Sequence, residues 1–478
     1  MQLSVAPIFM PGPRPDPIFG WRGALVPFGA DPIGYIRRAQ ARYGDLVALS
    51  RGAPVMIFAF GADHNRRLLS DAALFETDLR TGIRVRDDSA MARIGNGLLA
   101  MNGDKHRQQR RLMLPSFHRQ QVSGYRDAMV DQIERALAGW APGQRRDIAA
   151  DMQALTLGVA LKTLFSLDAT PEAHALGELF RESLEISFSP VDMAVQLDIP
   201  GTAYHRLVRL AERIEAKVRA LVAQRRAAGD GSRDVLATLI AARDEGGQAL
   251  SDDELIGQTY TLFAAGHETS SNALAWALLL LEQHPAVLAD LHDELHGLLR
   301  GAAPSVEQLG ALPLLDRVVK EVLRLMPPAS VLVRRSTAPF ALGCYELPAD
   351  TTVFLSPFIT HRSPELYAGP QAFRPERWER IDPTPYEYLP FGAGPRMCIG
   401  TTFALMEIKL ALAIILQRFR LALAPGQRVD PELRLTLRPR GGLPMAVYAQ
   451  DRQFRRAPIA GTLGEVIDLS ATSAIAAD

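Results

Sequence analysis

Residues 251–283 constrain the fold more than any other stretch of this chain. Ser251-x-x-Glu254 has the spacing of a capping box, in which each side chain takes a backbone N–H that the helix start leaves unpaired. An almost continuous apolar run follows to Gln283, and Pro285 ends it. A helix that is apolar on every face must be covered on every face, so this segment predicts a buried helix inside a large helical core. Helical periodicity also runs through 126–137, 151–165 and 204–228, with a short amphipathic helix at 31–43. Strand character reads in a pair at 46–60, turning near Gly52 and Pro54, and in 338–358, where Gly343, Pro348, Thr351, Thr352 and Val353 lie. The expected class is mainly α with a smaller β portion (α+β).

The 478 residues carry 53 basic and 53 acidic side chains. This balance gives no global attraction to nucleic acid or an anionic membrane. Length alone allows about three domains, yet no linker divides the middle of the chain. It therefore reads as a proline-rich arm (1–30), a single domain (31–450) and a tail (451–478) rich in Ala, Ser and Thr that is expected to add no core. Two cysteines, Cys344 and Cys398, exclude a disulfide scaffold and point to a reducing compartment. The first 19 residues hold four prolines between Pro11 and Pro17 and no apolar run long enough for a membrane span or secretory core. A cytoplasmic monomer without a membrane span is expected.

Function is concentrated near Cys398, in Phe391-Gly392-Ala393-Gly394-Pro395-Arg396-Met397-Cys398-Ile399-Gly400. Glycines let the backbone fold tightly beside the sulfur, Phe391 can shield it, and Arg396 can reach an anionic group. An apolar helical run begins directly afterwards, and the free N–H groups of a helix start favour a thiolate. That arrangement presents a thiolate to a metal. Phe-x-x-Gly-x-Arg-x-Cys-x-Gly, followed here by Ala404, resembles the signature of the cytochromes P-450, the haem-thiolate monooxygenases, at each of those positions. The resemblance implies a single domain holding haem b between the long central helix and the cysteine loop, with Cys398 as the axial ligand and Phe391 and Gly400 beside the cofactor.

Further segments match in order. Ala264-Ala265-Gly266-His267-Glu268-Thr269 places a glycine inside a helix, at a cost of roughly 1 kcal/mol relative to alanine. It resembles the family's acid-alcohol pattern, which implies Gly266 for space, Thr269 for a hydroxyl and Glu268 for proton relay, with Ala265 against the cofactor. A plain helix offers another account: Thr269 bonded back to a carbonyl and Glu268 as a paired acid. His267 reads as a core or solvated histidine rather than a ligand. Glu321-x-x-Arg324 and Phe373-Arg374-Pro375-Glu376-Arg377-Trp378 resemble the family's structural triad of Glu321, Arg324 and Arg377, with Trp378 in place of phenylalanine. For the two haem propionates the resemblance implies His106 and Arg110, one helical turn apart, with Arg334 and Arg396; Arg335 stays an alternative to Arg334.

The implied activity is insertion of one atom of O2 into a lipophilic small molecule, as hydroxylation or epoxidation. Electrons would come from a ferredoxin or flavodoxin with its NAD(P)H reductase, drawn to a basic face at Lys105, Arg107 and Arg111. A peroxygenase or isomerase needing no donor is the alternative within enzymes, and the Glu268-Thr269 pair argues against it. A haem-binding protein without turnover is the alternative outside them, and product formation separates the two. No aromatics interleave the basic residues of 105–111, so a nucleic-acid module is unsupported. The resemblance also implies that substrate choice falls to 77–96, 184–197, 261–265 and 329–333. There Phe188, Met193, Leu332 and Val333 suit an apolar guest, and Arg80, Arg84 and Arg86 suit a carboxylate.

Overall fold

The computed structural model describes residues 10–52, 55–78, 85–168, 170–187, 196–228 and 234–470. About 53% of the described residues are helical and a smaller part is strand, as the periodicities imply. The residues gather into two compact units. One comprises Met1–Thr81, Ala329–Pro370 and Pro383–Cys398, and the other Gly82–Pro328, Gln371–Asp382 and Ile399–Asp478. The stretch 31–450 thus contributes to both.

The first unit is built on a five-stranded sheet in the order Leu46–Ala48, Met56–Ala59, Thr352–Leu355, Leu332–Ser336, Phe75–Glu76. Only the pairing of Met56–Ala59 with Thr352–Leu355 is parallel. Phe340–Leu342 and Tyr345–Leu347 form a separate hairpin, and Gly343 at φ 60° supplies the left-handed turn it needs. Ile57, Ala59, Phe75, Phe340, Val353, Leu355, Leu389 and Ala393 share one buried cluster, which joins the sheet to the loop before Cys398. The proline-rich arm runs along the edge strand: Ala48 N–H donates to Pro11 O and Arg51 N–H to Pro13 O, both at 2.8 Å. Prolines accept but cannot donate, so they cover a sheet edge without extending it. The arm also contains a 3-10 turn at Trp21–Ala24 and a short helix at Leu25–Ala30.

The second unit is helical around the segment that opens at Ser251. The capping box is present: Ser251 Oγ accepts from Glu254 N–H at 3.2 Å, and Glu254 Oε2 from Ser251 N–H at 2.9 Å. The helix does not run through to Gln283. Asp252–Gly266 ends, His267 departs from helical geometry at φ −115°, and a second helix, Glu268–Gln283, begins. The His267 carbonyl accepts from the Thr156 hydroxyl and from Ser271 N–H, each at 3.0 Å, so the break leaves it satisfied. Thr156 lies on Ile148–Phe165, a helix long and apolar enough to cross a membrane but packed here against Arg126–Leu137 and Glu268–Gln283.

The segment 95–98 crosses Asp252–Gly266 at two glycines. A Cβ on Gly257 would lie 2.3 Å from Asn96 O, and one on Gly97 would lie 2.3 Å from Gly257 O. Alanine normally gains about 1 kcal/mol over glycine in a helix. Here its methyl meets backbone that cannot rotate away, so overpacking of about 1–3 kcal/mol or more wins. Gly257→Ala is expected to lower the denaturant midpoint, and a raised midpoint would contradict the crossing.

The tail differs from its expectation. Ile459–Ala460 pairs in parallel with Gln427–Arg428, and Leu463, Val466 and Ile467 are buried. These three stand at i, i+3 and i+4. Averaged over the Ala-, Ser- and Thr-rich surroundings, that short apolar face disappears from composition.

Candidate active site

In the first unit the cysteine loop is held by two side chains far away in sequence. Asn65 Nδ2, on helix Ala62–Ser70, donates to Tyr386 O and to Thr360 Oγ1, both at 3.0 Å. The buried His361 accepts from Leu389 N–H at Nε2, at 2.9 Å. Gly392 and Gly394 both sit at φ 69°, and a Cβ on Gly394 would come within 2.2 Å of Leu69 O. Backbone bonds from Met397 N–H to Gly394 O and from Cys398 N–H to Phe391 O, at 3.0 and 2.8 Å, close the loop. Cys398 is exposed at its end, and no disulfide joins it to Cys344.

Arg334 lies on strand Leu332–Ser336 and is buried, its Nη1 donating to Val333 O at 2.8 Å. Burial pulls it down to about 10, and the nearby Arg396 guanidinium pulls in the same direction. A buried guanidinium with a second one acting on it suits an anionic ligand, since a buried cation demands a counter-charge. Strand alternation turns Arg335 the other way, half-exposed toward Asp78 and Asp350 at 3.6 and 3.9 Å.

In the second unit the helix break carries the acid and the alcohol. Between Leu262 and Gln283 every residue is buried except Ala265, Gly266, Glu268 and Thr269. Thr269 Oγ1 donates to Ala265 O at 2.9 Å, the back-bond that a plain helix would make. Its hydrogen is thereby committed and its oxygen is left as an acceptor. Glu268 Oε1 accepts from Thr436 Oγ1 at 2.7 Å, and Thr436 accepts from Asn272 Nδ2 at 2.8 Å. Asn272 and Thr436 are partners that no local pattern marks. Gly266 has no positive φ, and its nearest neighbour for a Cβ is the flexible end of Leu164 at 3.3 Å. Packing within the unit therefore gives little reason for glycine there. His267 is a core histidine: it is buried, its Nδ1 lies 2.8 Å from Phe263 O, and burial lowers its pKa.

His106 and Arg110 share one face of helix Gly103–Met113, buried and half-buried. The basic face of this helix is largely neutralised, with Lys105 paired to Glu254, Arg107 to Asp104 and Arg111 to Glu245. Two of those acids lie more than 130 positions away, out of reach of a local charge count.

The triad assembles within the second unit. Glu321 Oε1 accepts from Arg324 Nη2, Arg377 Nε and Arg374 N–H at 2.8–2.9 Å, and its Oε2 from Arg324 Nε and the Trp378 indole at 2.9 and 3.0 Å. Tryptophan in place of phenylalanine thus adds a fifth donor. Arg80, Arg84, Phe188 and Met193 lie outside the described residues, while Arg86 pairs with Asp88 on the surface and Leu332 and Val333 are half-buried.

A model of the cytochrome P450 family matches residues 10–444. The chain belongs to the cytochrome P450 family. Cyclooctatin synthase of Streptomyces melanosporofaciens is 34% identical over 438 residues, which is 87% of this chain and 94% of that protein. Cyclooctat-9-en-7-ol 5-monooxygenase of the same organism is 35% identical, over 83% of this chain and 86% of that one. Pentalenene oxygenase of Streptomyces avermitilis is 32% identical, over 84% and 89%. Among solved structures, the retinoic acid-bound cyanobacterial CYP120A1 superposes with a TM-score of 0.80 at 26% identity, covering 93% of this chain and 99% of that one. The cytochrome P450DA heme domain gives 0.82 at 27%, with the same coverage. This P450 is a haem-dependent monooxygenase. The exposed thiol on its glycine loop and the neighbouring Arg334 and Arg396 fit the metal and the anionic edge of such a cofactor.

Proposed function

We propose that this P450 oxygenates a lipophilic alkene or alkenol skeleton, using haem b held by Cys398 Sγ. The names of its relatives, pentalenene oxygenase and cyclooctat-9-en-7-ol 5-monooxygenase, support the substrate class and favour a terpenoid over a fatty acid, steroid or macrolide. Arg334, Arg396, His106 and Arg110 hold the propionates, and Phe391, Ala265 and Gly400 border the ring. Thiolate-ligated haem supplies O2 activation driven by electrons delivered one at a time. A ferredoxin or flavodoxin with an NAD(P)H reductase provides them in the cytoplasm, and residues 31–450 work as one catalytic domain.

The observation that carries the residue roles is the break at Gly266 and His267. It is where the otherwise buried stretch from Leu262 to Gln283 is uncovered, and it bears a hydroxyl and a carboxylate together. Thr436 and Asn272 fix the Glu268 carboxylate, which takes up protons from solvent and passes them toward Thr269. The Thr269 oxygen, an acceptor in this arrangement, orients the incoming proton. Gly266 leaves room beside it.

Thr269→Ala is expected to keep haem and substrate binding, because it removes no ligand. Loss of proton control should lower product per NADPH by roughly tenfold or more and raise peroxide to match. Coupling equal to wild type would remove Thr269 from the proton path.

A further inference from the structure

Gln258 lies on helix Asp252–Gly266 with no exposed surface. A buried carboxamide costs free energy unless both of its ends are satisfied, and here each end meets a different piece of chain. Its Oε1 accepts from Leu98 N–H at 3.0 Å. That contact fixes which end of the amide is which, because a backbone N–H can only donate. Nε2 then donates to Gln109 Oε1 at 3.1 Å and, more weakly, to Met101 Sδ at 3.7 Å. Leu98, Met101 and Gln109 are all buried. The first two lie on the approach to helix Gly103–Met113 and the third lies within it, so one side chain holds the helix at two points.

The backbones already touch beside this contact, at Gly97 and Gly257, and a Cβ on Gly97 would also lie 1.8 Å from Thr261 Oγ1. Gln109 stands three residues after His106 and one before Arg110, on adjoining parts of the helix surface. A bond at Gln109 therefore sets how the helix is rotated about its axis, and with it where His106 and Arg110 sit. Apolar packing alone tolerates small rotations, whereas a satisfied buried polar contact admits one register. Lys105 and Glu254 link the same two helices at 3.5 Å, but Lys105 is half-exposed and such a pair holds geometry weakly.

We propose that Gln258 is a positioning residue for haem binding: through Leu98 and Gln109 it sets the register in which helix Gly103–Met113 presents His106 and Arg110 to the propionates. It acts through those residues and not on the reacting atoms. Gln258→Leu nearly keeps the side-chain volume and removes both bonds, so the helix stays packed but loses its fixed rotation. The inference rests on the proposed role of His106 and Arg110.

The test uses the haem-loaded enzyme and reads two quantities. One is the rate at which haem passes to an excess of a haem-free globin; the other is the propionate bending modes in the resonance Raman spectrum, which report hydrogen bonding at the propionates. Gln258→Leu is expected to speed haem loss roughly tenfold, the scale of one hydrogen bond to a charged group. It should also shift the propionate modes in the direction that His106→Phe shifts them. Gln258→Glu in mildly acidic buffer should match wild type in both, since burial keeps its carboxyl neutral and a neutral carboxyl supplies one acceptor and one donor. A merely structural role would speed haem loss without moving the propionate modes. Wild-type haem loss or unshifted propionate modes in Gln258→Leu therefore overturns the proposal. If that variant fails to retain haem, Gln109→Leu, which cuts the same bond from the other side, decides by the same two readings. His106→Phe and Arg110→Leu run in parallel separate the two levels. If they change haem loss and the modes while the Gln258 variant does not, only the positioning role falls; if they too are unchanged, the reading of His106 and Arg110 as propionate partners falls.

Discussion

Glu321→Gln is expected to cost about 3–5 kcal/mol of folding stability, the largest loss from any single substitution away from the cysteine. Glu321 and Arg324 have no exposed surface, and Arg377 is nearly as buried. Burial raises the pKa of Glu321, but Arg324 and then Arg377 more than offset this, so its carboxyl is held below the ordinary range. Arg377 is pulled down by burial despite the attraction of Glu321, which shows the cost of its charge at this depth. Removing the carboxylate strands two guanidiniums whose desolvation has already been incurred. A depressed carboxylate contributes stability that is complete above its unfolded pKa and is lost as pH falls through the folded one. The cost of Glu321→Gln should therefore be full at neutral pH and shrink only in acid. Urea unfolding of the variant, with Arg374→Ala as a control that keeps the backbone donor, measures it. A loss under about 1 kcal/mol would mean the triad behaves like a surface pair.

The parts of this protein that could be read from sequence are those whose partners lie within a turn or a loop. The capping box at Ser251, the Glu321–Arg324 pair and the glycines around Cys398 are of this kind, since spacing alone fixes their geometry. The break at Gly266 was legible as a cost without a local return. What sequence did not show depends on distant chain. Asn65 and His361 hold the cysteine loop from common residue types on separate elements, with no pattern to mark them. Which of Arg334 and Arg335 is buried needed strand register, which pairing with Thr352–Leu355 sets. The basic face at 105–111 lost its charge to acids at 245 and 254.

The second large effect is expected at Cys398, where Cys398→Ala should abolish thiolate ligation altogether. The loop that presents the sulfur is fixed by Asn65, His361 and the tight turns at Gly392 and Gly394, none of which the substitution touches. The variant should therefore keep its fold, although it loses whatever stability bound haem contributes by mass action. Cys344 is also exposed, but it sits in the hairpin of Phe340–Leu342 and Tyr345–Leu347, far along the chain from the glycine-rich loop. The deciding measurement is the absorption spectrum of the dithionite-reduced protein with carbon monoxide, recorded for wild type, Cys398→Ala and Cys344→Ala at matched haem content. Wild type and Cys344→Ala should show the red-shifted Soret band of a thiolate-ligated haem, and Cys398→Ala should lack it. That band surviving in Cys398→Ala, or vanishing in Cys344→Ala, would contradict Cys398 as the iron ligand and with it the assignment of this site.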